Sequence, residues 1–227
     1  METTKISDLA RFIDHTLLKP EATEAQIRRL CEEALEHEFR GVCVNSHYVS
    51  KASALLAQSR VLTVAVVGFP LGACLTEVKK QEAILAAKAG AQELDMVINI
   101  GAVKDGQWDF VENDISAVTS AVSVPVKVIL ETGLLSSDEI VRACQASEKA
   151  GAKFVKTCTG FAIGGATVDH VKLMRGAVSS AVEVKASGGI KTVEHARALI
   201  DAGASRLERA REFNLSRVKQ FPQISTK

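Results

Sequence analysis

Short apolar runs rich in valine, isoleucine and leucine recur along the chain, and the segments between them have the composition and periodicity of amphipathic helices. The runs fall at residues 12–16, 41–45, 62–68, 93–99, 126–131, 154–158, 182–187 and 204–207. Strands alternating with helices imply a parallel sheet with crossover connections, and about eight strands is the number that closes a (β/α)8 barrel. A doubly wound open sheet shares this alternation. No GxGxxG follows the first strand, however, and charged residues recur late in several strands, which favours the α/β TIM barrel as a single domain over residues 1–227.

Helix boundaries support the alternation. Thr23-Glu24-Ala25-Gln26 and Ser136-Ser137-Asp138-Glu139 read as capping boxes, and Thr76, Thr167 and Thr192 are further cap candidates. Gly90, Gly151 and Gly203 each stand between a helical pattern and a strand, where a left-handed residue ends a helix.

Several strands carry charge in their interiors. In "ELDMVIN", strict alternation puts Asp95, Val97 and Asn99 on one face and Leu94, Met96 and Ile98 on the other. Lys156 shares a side with Phe154 and Cys158, Lys185 with Glu183 and Ser187, and Lys127 with Glu131, while Asp14 stands beside His15. An ion in such a strand loses hydration worth several kcal/mol unless it is paired or close to water. The C-terminal mouth of a barrel offers both, so Asp95, Lys156 and Lys185 are candidates to meet there. A structural ion pair is the plainer role for any one of them alone.

Two lysines and an aspartate suit carbonyl chemistry. A neutral lysine amine adds to an aldehyde, and loss of water gives an iminium that acts as an electron sink for the neighbouring C–C bond. Burial and a second ammonium both favour the neutral amine, and an aspartate can relay protons. Periodicity does not say which lysine is the nucleophile. Ser187-Gly188-Gly189 follows a strand and precedes a helix, so its amides can approach a phosphate or simply make a turn. "TGFAIGGAT" supplies a glycine-rich loop beside Lys156 that closes over substrate or merely connects elements. Cys158 and Cys43 could face the mouth, though a small buried hydrophobe is the plainer reading of each.

Overall composition narrows the partners. The 28 basic and 27 acidic residues leave a formal charge of +1 without a charged block, so nucleic acid gains no electrostatic support. Five scattered cysteines without a CxxC pair point to reduced thiols and a cytoplasmic setting. The five histidines show no metal-binding spacing, and no apolar run has transmembrane length, so neither a metal nor a membrane is expected.

The motifs "IDHTLLKP" (13–20), "VVGFPLG" (66–72), "ELDMVINIG" (93–101), "KVILETG" (127–133), "FVKTCTGF" (154–161) and "VKASGGIK" (184–191) resemble, in order, those of the deoxyribose-phosphate aldolase family. The resemblance implies a (β/α)8 barrel that reversibly cleaves 2-deoxy-D-ribose 5-phosphate to D-glyceraldehyde 3-phosphate and acetaldehyde without a cofactor. It implies Lys156 as the Schiff-base nucleophile, Lys185 as the lysine that perturbs it and Asp95 as proton-transfer partner. Asp14, Thr16, Lys127 and Thr159 match positions near the substrate, with Gly188, Gly189 and Ser205 near its phosphate, and a homodimer is the implied oligomer. Two departures stand out. Cys158 takes a place where the family often has serine, and Glu208-Arg209-Ala210 follows Leu207 where many relatives continue with Gly-Thr-Ser. A glutamate beside a phosphate repels it, with Arg206 or Arg209 as compensating cations.

Overall fold

The computed structural model describes residues 9–210. Eight strands pair in parallel in chain order and β8 returns to β1, so the sheet is a closed barrel. They are β1 (Ile13–Leu17), β2 (Gly41–Val44), β3 (Leu62–Val67), β4 (Glu93–Val97), β5 (Val126–Ile129), β6 (Phe154–Lys156), β7 (Glu183–Ala186) and β8 (Arg206–Ala210). The helices are α1 (Glu24–Glu36), α2 (Val49–Leu56), α3 (Thr76–Lys88), the short α4 (Ile100–Lys104), α5 (Trp108–Thr119), α6 (Ser137–Lys149), α7 (Val168–Ala177) and α8 (Val193–Asp201). Both α4 and α5 follow β4. Among the described residues no helix is long and apolar enough to cross a membrane.

The helices form where the sequence supplies caps and an apolar stripe. Thr23 and Ser136 complete the two expected capping boxes with Gln26 and Glu139. On α1 the buried residues are Ile27, Leu30, Cys31 and Ala34, and on α6 Ile140, Ala143, Cys144 and Ser147, the spacing of one helical face. Thr167 and Thr192 cap α7 and α8. Thr76 does not cap α3: Leu75 takes that position, and the Thr76 hydroxyl instead donates to Asp114 of α5 at 2.6 Å. Lys79, fully buried one turn further on, donates to the other oxygen of Asp114 at 2.6 Å, so one carboxylate ties α3 to α5. Gly90, Gly151 and Gly203 have φ of 108°, 85° and 112°, the left-handed helix ends expected of them.

Strand alternation divides the buried residues into two environments. Val42, Val44, Ala65, Val67, Leu94 and Met96 point outward into the apolar layer they share with Ile27, Leu30, Val111 and Ile115 of the helices. Cys43, Val64 and Val66 point into the barrel and pack with Leu18 in a separate apolar cluster. The barrel interior is therefore apolar along β2 and β3. On the other strands its buried lining is mostly charged.

Six of the expected strands run past the observed C-terminal ends. Residues 157–158, for example, leave the ladder after Lys156, and Glu131 has a left-handed φ of 59° two residues beyond β5. At the mouth the chain turns outward into the loops that carry chemistry, and the apolar pattern continues past the last ladder bond because those residues stay buried.

Candidate active site

Alternation places Asp14 on β1, Glu93 and Asp95 on β4, Lys127 on β5, Lys156 on β6, Lys185 on β7, and Arg206 and Glu208 on β8 inside the barrel, all buried. Register then brings them level. Lys156 pairs with Lys185, Asp95 with Lys127 and Asp14 with Glu208 across adjacent strands.

Asp95 is the centre of the group. Its Oδ2 accepts from Lys156 Nζ at 3.0 Å and from Lys185 Nζ at 2.8 Å, while Oδ1 accepts from Lys127 Nζ at 2.7 Å. Lys185 also donates to Asp14 Oδ2 at 2.6 Å, and Lys127 lies 2.7 Å from Glu93 Oε2. Arg206 closes the lower end, bridging Asp14 Oδ1 at 2.9 Å and Glu93 Oε2 at 2.8 Å. Lys156 has a second partner, Glu208 Oε2, at 2.7 Å.

Burial opposes ionisation of Asp14, but Lys185, Arg206 and Lys127 outweigh it and bring its carboxyl down to about 2. Burial likewise opposes the Asp95 carboxylate, and the three lysines around it hold its pKa well below the usual range. For Lys156 burial favours the neutral amine, as the sequence leads one to expect, yet Glu208 and Asp95 together keep the ammonium well above the ordinary lysine range. Lys185 is raised too, with burial and Lys156 opposing Asp14 and Asp95. At Lys156, then, the carboxylates of Glu208 and Asp95 outweigh burial.

The expected site residues divide by depth. Thr16, Thr159, Gly188 and Gly189 line a cavity of about 740 Å³ at the C-terminal mouth, together with Lys19, Lys191 and Glu208. Gly188 and Gly189 have φ of 82° and 69°, and a Cβ added to Gly188 would stand 2.9 Å from Cys158 Sγ, so glycine is needed there for both backbone and space. Thr159 is held by Glu131, which accepts its N–H at 3.2 Å as well as its hydroxyl. Asp14 and Lys127 do not line the cavity; they lie within the barrel, bonded to Lys185 and Asp95.

Ser205 is a correction. It stands just before the first residue of β8, and it lines a hollow with Arg11, Arg40 and Lys153 at the N-terminal end of the barrel, across the sheet from Gly188 and Gly189. Arg206 faces the same lower end and is engaged with Glu93 and Asp14, so it does not compensate Glu208 beside a phosphate. The Arg209 side chain lies outside the described residues.

Cys43 and Cys158 are buried free thiols. Burial, with the charge of Asp95, pushes Cys43 up to about 12, and burial pushes Cys158 up to about 11. Among the described residues no group of His, Cys, Asp and Glu is disposed to hold a metal ion. Sequence reasoning did not single out Glu93 for the site or pair Glu208 with Lys156, although the two-residue spacings Glu93/Asp95 and Arg206/Glu208 carry the same alternation that revealed Asp95.

Three lysines around one aspartate beneath an open mouth can, once one ammonium has given up its proton, form and hydrolyse an imine and move protons at its neighbouring carbon. The comparisons agree with that chemistry. Residues 9–210 match the family described as DeoC/LacD family aldolase. The chain is 57% identical over 200 residues to a deoxyribose-phosphate aldolase of Bdellovibrio bacteriovorus, covering 88% of this chain and 91% of that one. It is 51% identical over 211 residues to the deoxyribose-phosphate aldolase of Aciduliprofundum boonei, covering 92% and 95%. The tetrameric deoxyribose phosphate aldolase of Aeropyrum pernix superposes with a TM-score of 0.83 at 35% identity, over 90% of this chain and 88% of that one. The chain belongs to the DeoC/LacD aldolase family.

Proposed function

We propose that this protein catalyses the reversible aldol cleavage of 2-deoxy-D-ribose 5-phosphate through an imine on Lys156. The observation that carries the reading is the Asp95 carboxylate bonded to Lys156, Lys185 and Lys127 inside the barrel, with the loops after β6 and β7 forming the mouth above. Relatives more than half identical over about nine-tenths of their own length are named deoxyribose-phosphate aldolases, which supports the substrate.

The neutral Lys156 amine adds to the C1 aldehyde of the open-chain sugar, and the resulting carbinolamine loses water to give the iminium. Loss of the C3 hydroxyl proton then breaks the C2–C3 bond, releasing glyceraldehyde 3-phosphate, and the bonding pair passes into an enamine. Protonation at C2 restores an iminium, and water releases acetaldehyde and the free lysine. Asp95 and Lys185, within hydrogen-bond distance of each other, supply and return these protons. In this reading Gly188 and Gly189 on the cavity wall receive the phosphate, with Lys19 and Lys191 beside them as cations.

The experiment is direct comparison of deoxyribose 5-phosphate with deoxyribose in a coupled assay for the three-carbon product. Higher kcat/KM on the phosphorylated sugar is expected. Preference for the free sugar would reject the phosphate assignment, and Glu208 on the cavity wall is the observation favouring that second reading, an aldolase for unphosphorylated aldehydes. A homodimer belongs to the proposed reading as well, and sedimentation equilibrium should return twice the chain mass. The five free thiols fit a cytoplasmic setting.

A further inference from the structure

Among the eight residues of the buried charge network, Glu208 alone also lines the mouth cavity. It stands level with Asp14 on the neighbouring strand and accepts from Lys156 Nζ at 2.7 Å. Lys156 thus meets the cavity through this carboxylate. The titratable groups that act on Lys156 are Cys43 from β2, Asp95 from β4, Cys158 just after β6, Lys185 from β7 and Glu208 from β8; Asp14 from β1 and Lys127 from β5 stand behind them, bonded to Lys185 and Asp95, and β3 contributes only Val64 and Val66.

The network's charges match one for one. Lys127, Lys156, Lys185 and Arg206 face Asp14, Glu93, Asp95 and Glu208. With every lysine protonated the group is neutral, and removing one proton leaves a buried negative charge without a partner. Without Glu208, three carboxylates would face four cations, and releasing one proton would restore neutrality. Lys156 is the lysine Glu208 touches, and its other carboxylate is shared with two more lysines.

We propose that Glu208 restrains the catalytic lysine, holding Lys156 as an unreactive ammonium and standing between it and the cavity, so that this single carboxylate limits imine formation. The inference rests on Lys156 being the imine-forming lysine. A carbonyl compound reaching Lys156 must displace the Glu208 carboxylate, and a phosphorylated sugar does so against charge repulsion, whereas a neutral aldehyde does not. The raised basicity of Lys156 agrees with this arrangement.

The test uses the full chain with Glu208→Gln, which keeps size and polarity, and Glu208→Ala as a second variant. Trace labelling with acetic anhydride across pH, followed by peptide mapping, reads the ionisation of Lys156, with exposed Lys149 as internal control. The Lys156 midpoint is expected to fall by about one pH unit or more in both variants, giving about 10-fold more free amine near neutrality. Trapping of acetaldehyde on Lys156 with borohydride should accelerate about 10-fold as well. An unchanged or raised midpoint overturns the proposal. So does an unchanged trapping rate, or a slower one, which would make Glu208 a helpful proton acceptor. Absence of adduct in all three proteins would contradict the imine reaction itself, while the labelling midpoint still decides the role of Glu208.

Discussion

At the residue scale, the proposed reaction gives Lys156, Lys185 and Asp95 separable roles. Lys156→Ala should abolish the borohydride-trapped adduct and cleavage together, and turnover near the parent value would show that another group is the nucleophile. Lys185→Ala and Asp95→Asn should each lower the single-turnover rate by about 10²-fold or more, because each bonds directly to the group that must shed or receive a proton. Unchanged single-turnover rates would remove them from the proton path. Asp95, Lys156 and Lys185 were legible because alternation in a strand leaves little choice of side once its neighbours are apolar. Ser205, which the resemblance put near the phosphate, stands one residue before β8, at the end opposite the mouth. Glu208 was noticed for its charge beside a phosphate. That it reaches the lysine instead depends on register with β1, which no local pattern reports.

At the scale of elements, the helices were legible from caps and stripes, since those signals are satisfied within a few residues. The Lys79–Asp114 link between α3 and α5 was not, because it joins residues far apart in sequence and both look like ordinary surface charges on their helices. Both side chains are in fact fully buried. Asp114→Ala strands the Lys79 ammonium and frees the Thr76 hydroxyl, so a loss of about 3–5 kcal/mol in denaturant unfolding is expected. A loss below about 1 kcal/mol, the range of exposed pairs, would contradict the buried link. The mouth loops were the least legible elements. Their left-handed residues, Gly160, Gly164, Gly188 and Gly189, and the non-glycine Glu131, break the apolar runs in places that only the ladder defines.

For the molecule as a whole, the repeated strand–helix unit and the number of runs foretold the barrel, while its uneven interior, apolar beside β2 and β3 and charged elsewhere, followed only from closure. That interior ties stability to pH. The Asp14 carboxyl, brought from 3.8 to about 2, and Asp95, held lower than usual, stabilise the fold once pH is above the ordinary carboxylate range. This stabilisation is lost as pH falls through the folded-state values, with Asp14 alone contributing about 2 kcal/mol. Chemical denaturation midpoints should therefore fall steeply between about pH 4 and pH 2 and stay nearly level from about pH 5 to pH 8. A midpoint independent of pH across the acid range would contradict the paired carboxylates. The most direct test of the central claim is incubation of the protein with acetaldehyde and borohydride followed by peptide mapping. The account predicts N-ethyl-lysine at Lys156 and none at that peptide in Lys156→Ala; adduct on Lys185 alone, or on no lysine of the barrel, would contradict it.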